Sequence, residues 1–303
     1  MEDDDFKIDF IGIGAQKAAT TWIFSCLKEH PEICPPKVGE EEVKELQYFY
    51  QKRPDASNDQ DRAKKSKYER HGIKKYKEYF SHCSSGSVKG EFTPDYLFYP
   101  EVPELLKKHF PETKLIVCLR DPIQRAYSQY LHEINRTGQS ITFEQAIEKE
   151  SEFIERGMYY QQLKRYYNLF PEENILVLIY ENIQDDPQQF IKNIYKFLEI
   201  DSNFIPDSVN TRVSVSKFKN TFLGKFIHKG VTPFLKKTKL GWRIHQSSWL
   251  RNKFYRFADF YASGTKKDEH EIEGETKKKL KSIFKKDINK LEKLINKDLS
   301  HWK

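Results

Sequence analysis

The sequence predicts an α/β fold, a P-loop-like arrangement of three layers in which a central parallel sheet is flanked by helices. The first observation is a set of short, continuous apolar runs at residues 6–13, 115–119 and 174–180. Strands buried on both faces of a parallel sheet have this composition. The second observation is that helical patterns separate these runs, and such alternation is typical of parallel sheets covered on both faces. A chain of 303 residues is long enough for one large domain or two small ones.

A tight turn follows the first apolar run. Gly12 and Gly14 allow the backbone to turn sharply and to approach a ligand closely. A polar stretch then opens a helix and contains Lys17, Thr20 and Thr21. Because a helix N-terminus presents free N–H groups and a positive dipole end, this turn is suited to bind an anion.

The turn differs from the two best-known nucleotide loops. Lys17 is followed by Ala18, whereas a Walker A loop has a magnesium-binding Ser or Thr at that position. Lys17 also stands where the dinucleotide fingerprint has its third glycine. By themselves, these residues leave open a phosphate loop and an ordinary strand-to-helix turn.

A second anion-binding signal follows the run at 115–119. Asp121 and Pro122 are suited to cap and begin a helix. Arg120 therefore stands at the carboxyl end of a strand, where open α/β sheets bind ligands. Ser128 lies eight residues further on, in the predicted helix. An Arg at this position can bind two phosphate oxygens at once, although an Arg-Asp pair that only caps the helix is the simpler alternative.

The loop from Gly14 to Trp22 resembles the 5′-phosphosulfate loop of sulfotransferases that use 3′-phosphoadenosine 5′-phosphosulfate (PAPS). The Arg120 to Ser128 spacing resembles the 3′-phosphate site of the same family. The resemblance implies that PAPS is the sulfuryl donor and that no metal is needed. It also implies that the following residues bind the cofactor: Gly14, Ala15, Gln16, Lys17, Ala18, Ala19, Thr20, Thr21, Trp22, Arg120 and Ser128.

Lys44 and Glu45 begin a stretch that resembles the Lys-Glu-Pro-His-Phe-Phe segment of the carbohydrate, heparan-sulfotransferase-like branch. The resemblance implies that Glu45 is the general base and that Lys44 and Lys17 are catalytic, with Lys17 stabilising charge on the transferring group. This sequence has Leu46 at the proline position and Gln47 at the histidine position. Without the resemblance, a Lys-Glu pair before an aromatic run is simply the edge of a helix or strand.

A further segment resembles the Gly-Glu-Lys-Thr-Pro motif of the family, with Phe92 in place of the lysine. Any ligand contact of that lysine is therefore expected to be absent.

The rest of the chain is expected to frame the site. Residues 51–72 are polar, lack periodicity and are interpreted as a surface excursion, followed by a helix at 73–80. Residues 207–265 are basic and aromatic and are expected to form a cover over the cofactor and acceptor cleft. Residues 275–302 are amphipathic and are expected to form a closing helix, which completes a helical C-terminal cover.

Because the resemblance covers nearly the whole chain, residues 1–303 are predicted to form a single sulfotransferase domain. Within the basic cover, two further cofactor contacts are predicted at Arg212 and Lys217.

Composition bears on compartment and partners. The net charge of +7 suits an anionic ligand, although excess lysine also simply keeps proteins soluble. No apolar run is long enough to span a bilayer, and the acidic start MEDDD does not resemble a signal peptide. The four cysteines show neither a metal spacing nor a disulfide framework. We therefore expect a cytoplasmic protein without disulfides.

The predicted activity is in-line transfer of a sulfuryl group from PAPS to a hydroxyl or amine of an acceptor. The acceptor is expected to be a small molecule or glycan, with a carbohydrate or another polyhydroxylated compound favoured. A P-loop nucleotide-dependent kinase and a non-enzymatic polyanion-binding protein are the alternatives. A nucleic-acid partner is not expected, because no recognised reader motif accompanies the basic residues. The sequence does not indicate the identity of the acceptor or the oligomeric state.

Overall fold

A computed structural model of the chain describes residues 6–51, 65–211, 272 and 274–303. Its centre is a five-stranded, entirely parallel sheet with strand order β2-β5-β1-β6-β7, and β3 and β4 form a separate antiparallel hairpin. The strands are β1 Phe10–Gly14, β2 Ile33–Cys34, β3 Lys37–Val38, β4 Glu41–Glu42, β5 Val88–Phe92, β6 Lys114–Leu119 and β7 Ile175–Ile179.

Helices flank this sheet, which confirms the predicted fold class. The helices of the described residues are α1 Thr20–Lys28, α2 Lys67–Glu78, α3 Val102–His109, α4 Pro122–Thr137, α5 Phe143–Lys149, α6 Glu152–Glu155, α7 Tyr159–Tyr167, α8 Asn182–Asp185, α9 Pro187–Leu198 and α10 Gly274–Ile295. Short 3₁₀ turns occur at Pro94–Leu97, Glu172–Asn174, Asp207–Asn210 and Ser300–Trp302.

The central strand β1 is buried along its whole length, as its unbroken apolar composition predicts. Its Gly12 lies opposite Phe92 of β5, and a Cβ atom at Gly12 would be 2.1 Å from the Phe92 ring. Phe92, which stands where the resembled motif has a lysine, is thus fully buried, with its ring packed over β1. A lysine at position 92 would have to be buried at the same place.

The last helix, α10, packs against α7 and α4. It buries Leu280, Phe284, Ile288, Leu291 and Ile295, a spacing that forms one face of a helix. The helix ends at Ile295, and the buried Trp302 lies in the 3₁₀ turn that follows. The C-terminal segment therefore contributes to the core.

Helix α2 begins earlier than the sequence prediction placed it. It starts at Lys67, so the last part of the expected surface excursion is helical. The helix is interrupted at Gly72, whose backbone is not helical (φ 62°, ψ −174°), and its second segment follows from residue 73, where the prediction placed the helix start. The reason for the early start is a capping box, in which the Ser66 side chain accepts from the Glu69 N–H and the Glu69 carboxylate accepts from the Ser66 N–H. The Ser-x-x-Glu pattern is a helix-start signal that the prediction overlooked.

The expectation of a chain without disulfides is wrong for this structure. Cys34 of β2 and Cys83, which follows α2, form a disulfide across 49 residues of sequence, whereas Cys26 and Cys118 are free and buried. The pairing depends on the parallel contact of β2 with β5, which brings Cys34 next to the turn that precedes β5. Sequence spacing contains no trace of such a contact.

Among the described residues, no helix combines the length and the apolar character that crossing a membrane requires.

Candidate functional site

The turn between β1 and α1 has the geometry of an anion-binding loop. Ala19, the residue before α1, has a left-handed backbone with φ of 57° and provides no side-chain cap. Lys17 is also left-handed, with φ of 70°, a conformation that non-glycine residues rarely adopt. The loop is held to the sheet by a hydrogen bond from the Ala15 N–H to the Cys118 carbonyl, 2.8 Å long. Because the Ala19 side chain cannot cap the helix, the first N–H groups of α1 are available to a ligand.

Lys17 lies half-buried in this loop among charged groups from two other parts of the chain. Burial lowers the pKa of Lys17 to about 8, because an ammonium loses hydration there. The positive charges of Lys44 and Arg125 lower this pKa further, and the carboxylates of Glu133 and Glu45 oppose the shift. A bound anion would favour the charged form of the same ammonium.

Lys44 joins the loop to the predicted base. Its Nζ donates to the hydroxyls of Thr20 and Thr21, at 3.1 and 3.2 Å. The same ammonium forms a 2.8 Å ion pair with Glu45. One side chain therefore spans the distance between the first turn of α1 and the carboxylate that was predicted to remove a proton.

Glu45 is oriented by two neighbours within the base segment, which we define as residues 44–47. Its Oε1 pairs with Lys44, and its Oε2 accepts from the side-chain amide of Gln47 at 3.1 Å. Gln47 has a left-handed backbone with φ of 49°, which turns its amide back toward Glu45. The glutamine that replaces the family's histidine thus serves to position the carboxylate.

Beneath the base segment lies a buried carboxylate that the sequence analysis did not identify. Glu91 of β5 is fully buried and accepts from the Leu46 backbone N–H at 3.0 Å. It also accepts from three hydroxyls, those of Thr93, Tyr76 and Tyr96. Burial raises the pKa of Glu91, and these hydrogen bonds oppose the shift. The glutamate of the Gly-Glu motif therefore connects the base segment to the central sheet.

Arg120 lies at the carboxyl end of β6, beside the loop. It donates from Nη1 to the Lys17 carbonyl at 3.1 Å, and its guanidinium stacks 4.5 Å from the centre of the Tyr180 ring. Tyr159 donates its hydroxyl hydrogen to the Arg120 carbonyl. The structure thus places Arg120 beside the loop between β1 and α1. Ser128 is half-buried on α4, which begins two residues after Arg120.

A polar row on α4 was also missed. Arg125 is buried, and its Nη1 donates to the Gln129 side chain at 2.9 Å. Gln129 in turn donates to Glu133 at 2.9 Å, whose charge acts on Lys17. These residues are spaced four apart and share one helix face; that spacing was the available signal.

Among the buried polar atoms that have no hydrogen-bond partner in the described structure, one belongs to the loop and one to Arg120 beside it. They are Oε1 of Gln16 and Nε of Arg120, one an acceptor and the other a donor. Buried polar atoms normally have partners, so these two fit a polar ligand that lies against the loop. The Arg120 donor, the start of α1 and Lys17 suit an anionic group, whereas the Gln16 oxygen suits a hydroxyl or amine donor of the same ligand.

The other predicted contacts are positioned differently. The Trp22 side chain is buried and donates to the Ser208 carbonyl at 3.0 Å. Glu29, at the end of α1, accepts from the backbone N–H and the hydroxyl of the same serine. The Trp22 indole thus anchors the 3₁₀ turn Asp207–Asn210, at the start of the expected basic cover. Arg212 and Lys217 lie outside the described residues, as does most of the cover itself.

Comparison with known proteins gives a consistent result. A family model described as the sulfotransferase family matches residues 9–204, a range that includes the loop, the base segment, Arg120 and Ser128. Heparan sulfate glucosamine 3-O-sulfotransferase 3B1 of Homo sapiens is 27% identical over 195 residues, which cover 61% of this chain and 44% of that protein.

Two further matches extend the comparison. The membrane-associated sulfotransferase kil1 of Dictyostelium discoideum is 30% identical over 156 residues, covering 48% of this chain and 29% of its own length. The chain therefore spans less than half the length of these two curated relatives. The crystal structure of a sulfotransferase from Alicyclobacillus acidocaldarius covers 98% of this chain and 99% of its own, with a TM-score of 0.66 and 22% identity. That match shows a shared fold.

Proposed function

The chain belongs to the sulfotransferase family, and on that premise we propose that it transfers a sulfuryl group from PAPS to a hydroxyl or amine of an acceptor. The observation that carries this proposal is the position of Lys44, which contacts both hydroxyls of the phosphate loop and the Glu45 carboxylate. A donor held by the loop and an acceptor held at Glu45 would therefore be neighbours. Such positioning is the main requirement of in-line transfer.

The donor would be held by two separate sets of groups. The N–H groups at the start of α1, with Lys17 and the hydroxyls of Thr20 and Thr21, suit the 5′-phosphosulfate. Arg120, with Ser128, suits the 3′-phosphate. When bound, PAPS supplies the sulfuryl group, and the Lys17 ammonium would stabilise negative charge on the leaving phosphate.

Glu45 would accept the proton of the acceptor. Its carboxylate is partly exposed and is fixed by Lys44 and Gln47, so one oriented oxygen is offered to an incoming hydroxyl or amine. Lys44 reaches the loop hydroxyls and the base at the same time, which suits it to neutralise charge between donor and acceptor. Glu91, which accepts a hydrogen bond from the Leu46 N–H, would hold the base segment against the sheet.

We propose a carbohydrate or another polyhydroxylated molecule as the acceptor. The support is the similarity to the human relative, a heparan sulfate glucosamine 3-O-sulfotransferase. A cytoplasmic location stays a prediction. The disulfide between Cys34 and Cys83 is favoured by an oxidising compartment, so thiol mapping of the protein isolated from its own cells is the direct test.

The proposed function is tested by calorimetry with 3′-phosphoadenosine 5′-phosphate (PAP), the product of the donor. We expect PAP to bind without metal and Lys17→Ala to weaken binding, whereas the exposed-lysine control Lys108→Ala should bind as the wild type does. Turnover is then followed with radiolabelled PAPS and a panel of glycans. Binding of ATP with magnesium in the absence of PAP binding would instead assign the kinase alternative.

A further inference from the structure

A group of three potential metal ligands lies away from the proposed site. His82 is exposed, and its Nε2 is 3.4 Å from Sγ of Cys34 and 3.8 Å from Sγ of Cys83. The ligand atoms of the three residues all lie within 4.8 Å of one another. The proposed sulfuryl transfer uses none of them.

These distances match the coordination sphere of zinc. Zinc binds imidazole nitrogen at about 2.0–2.1 Å and thiolate sulfur at about 2.3 Å, in tetrahedral geometry. Two such ligands of one ion are then roughly 3.5 Å apart, and the two nitrogen-to-sulfur distances of His82 lie on either side of that value. The imidazole nitrogen therefore lies within zinc-ligand reach of both sulfurs, whose own positions change when the disulfide opens.

The backbone that carries these side chains is held in place by hydrogen bonds. Cys34 is in β2 and pairs with Lys89 of β5. The Cys83 N–H donates to the carbonyl of the buried Phe80 at 3.0 Å. The Cα atoms of the two cysteines are 5.9 Å apart. Binding a metal between the two sulfurs thus requires rotation about the Cα–Cβ bonds, with the backbone unchanged.

We propose that Cys34, His82 and Cys83 form a zinc site when the disulfide is reduced, with the fourth position open to water. A dithiol reductant supplies two electrons and two protons, the S–S bond breaks, and two thiols form while the reductant becomes a disulfide. Zinc then binds two thiolates and neutral imidazole, and the two thiol protons are released to solvent.

The consequence is one cross-link in two chemical forms. In an oxidising compartment the disulfide joins β2 to the turn after α2, and in a reducing compartment zinc joins the same two segments. From β2 the chain passes through the β3–β4 hairpin to the base segment. Lys37 of this hairpin donates its N–H to the Tyr79 carbonyl at the end of α2. Either cross-link therefore holds the part of the chain that leads to Lys44 and Glu45.

The test compares zinc binding by the reduced and oxidised full-length protein. The protein is reduced with a phosphine, exchanged into metal-free buffer without oxygen, and titrated with zinc against a chromophoric chelator. We expect one tightly bound zinc per reduced chain and none at this site in the oxidised chain. Cobalt should give tetrahedral absorption bands with a thiolate charge-transfer band, which reports Cys34 and Cys83 because Cys26 and Cys118 are buried.

Variants identify the ligands. His82→Ala should weaken zinc binding by at least roughly tenfold, since loss even of a residue that only supports a ligand costs 10–100-fold in other sites. The matched control is His71→Ala, an exposed histidine of α2, which should bind zinc as the wild type does. His82 is exposed, so its variant is expected to fold, and circular dichroism checks this.

Two outcomes would overturn the proposal. One is that the reduced wild type binds no more zinc than the double variant Cys34→Ser, Cys83→Ser. The other is that His82→Ala retains the zinc affinity of the wild type, which would show that His82 is not a ligand and that only two ligands remain.

Discussion

Replacing Glu45 with glutamine separates proton removal from donor binding. The glutamine keeps the size of the side chain but is not a base at neutral pH, and it removes the ion pair with Lys44. The Glu45 side chain is 32% exposed, so loss of this pair should cost at most about 1 kcal/mol of folding stability. The Lys44 contacts with Thr20 and Thr21 do not depend on Glu45, and the donor loop should stay intact.

The expected effect is therefore confined to turnover. Loss of a positioned general base typically lowers the rate about 10²–10⁴-fold, which corresponds to about 3–5 kcal/mol in the activation barrier. PAP affinity, measured by calorimetry, should stay within about twofold of the wild type, because a carboxylate that receives the acceptor proton contacts no part of PAP. Turnover is measured with radiolabelled PAPS and any acceptor that gives a signal.

The matched control is Glu41→Gln, an exposed glutamate of β4, which should leave turnover unchanged. Near-full activity of Glu45→Gln would refute the assignment of the base. A parallel loss of PAP affinity would show instead that Glu45 acts by holding Lys44 at the loop.

Four further predictions follow from the same geometry. PAP affinity should fall as pH rises from 7 to 9, because burial lowers the pKa of Lys17 to about 8 and its charge is lost in that range. The guanidinium of Lys17→Arg stays charged, so this variant should show a weaker pH dependence of PAP affinity in calorimetry. The same pH dependence in both proteins would show that Lys17 does not bind PAP. Arg120→Ala should weaken PAP much more than adenosine 5′-phosphosulfate, which lacks the 3′-phosphate, and equal losses would mean that Arg120 serves the fold. Glu91→Gln should lower the free energy of unfolding by about 1–3 kcal/mol, because the amide N–H groups of the glutamine would face hydrogen-bond donors. It should also lower kcat. A variant with wild-type stability and kcat would contradict the role given to Glu91. Cys83→Ser should lower the free energy of unfolding of the oxidised protein in urea by about 2–4 kcal/mol, and should not change that of the reduced, metal-free protein. Equal stability of the wild type and the variant under oxidising conditions would show that the disulfide with Cys34 is absent in solution.

The sequence by itself determined the fold class and the positions of the two turns that are proposed to bind the donor. The apolar runs that became β1, β6 and β7 are local signals, because burial on both faces leaves no polar position in a strand. The glycine turn before Lys17 and the cap at Asp121 are local as well. Their order along a parallel sheet brings Arg120 to the loop, since the carboxyl ends of neighbouring strands meet at one edge.

The arrangement of the groups around the proposed base, Glu45, was decided only by the tertiary structure. Glu45 could be named from a motif, but its orientation depends on Lys44 and Gln47, and the latter departs from the motif. Glu91 was overlooked because its role is a hydrogen bond to Leu46, a residue 45 positions away. A buried carboxylate has no sequence signature of its own, since only the surrounding donors make its burial tolerable.

The cysteines show the same limit most clearly. Cys34 and Cys83 are separated by 49 residues, and the sequence contains no spacing that pairs them. They meet because β2 lies parallel to β5 and the turn after α2 returns to the start of β5. Local patterns encode strands, turns and caps, whereas contacts between distant side chains exist only once the sheet has brought their strands into register.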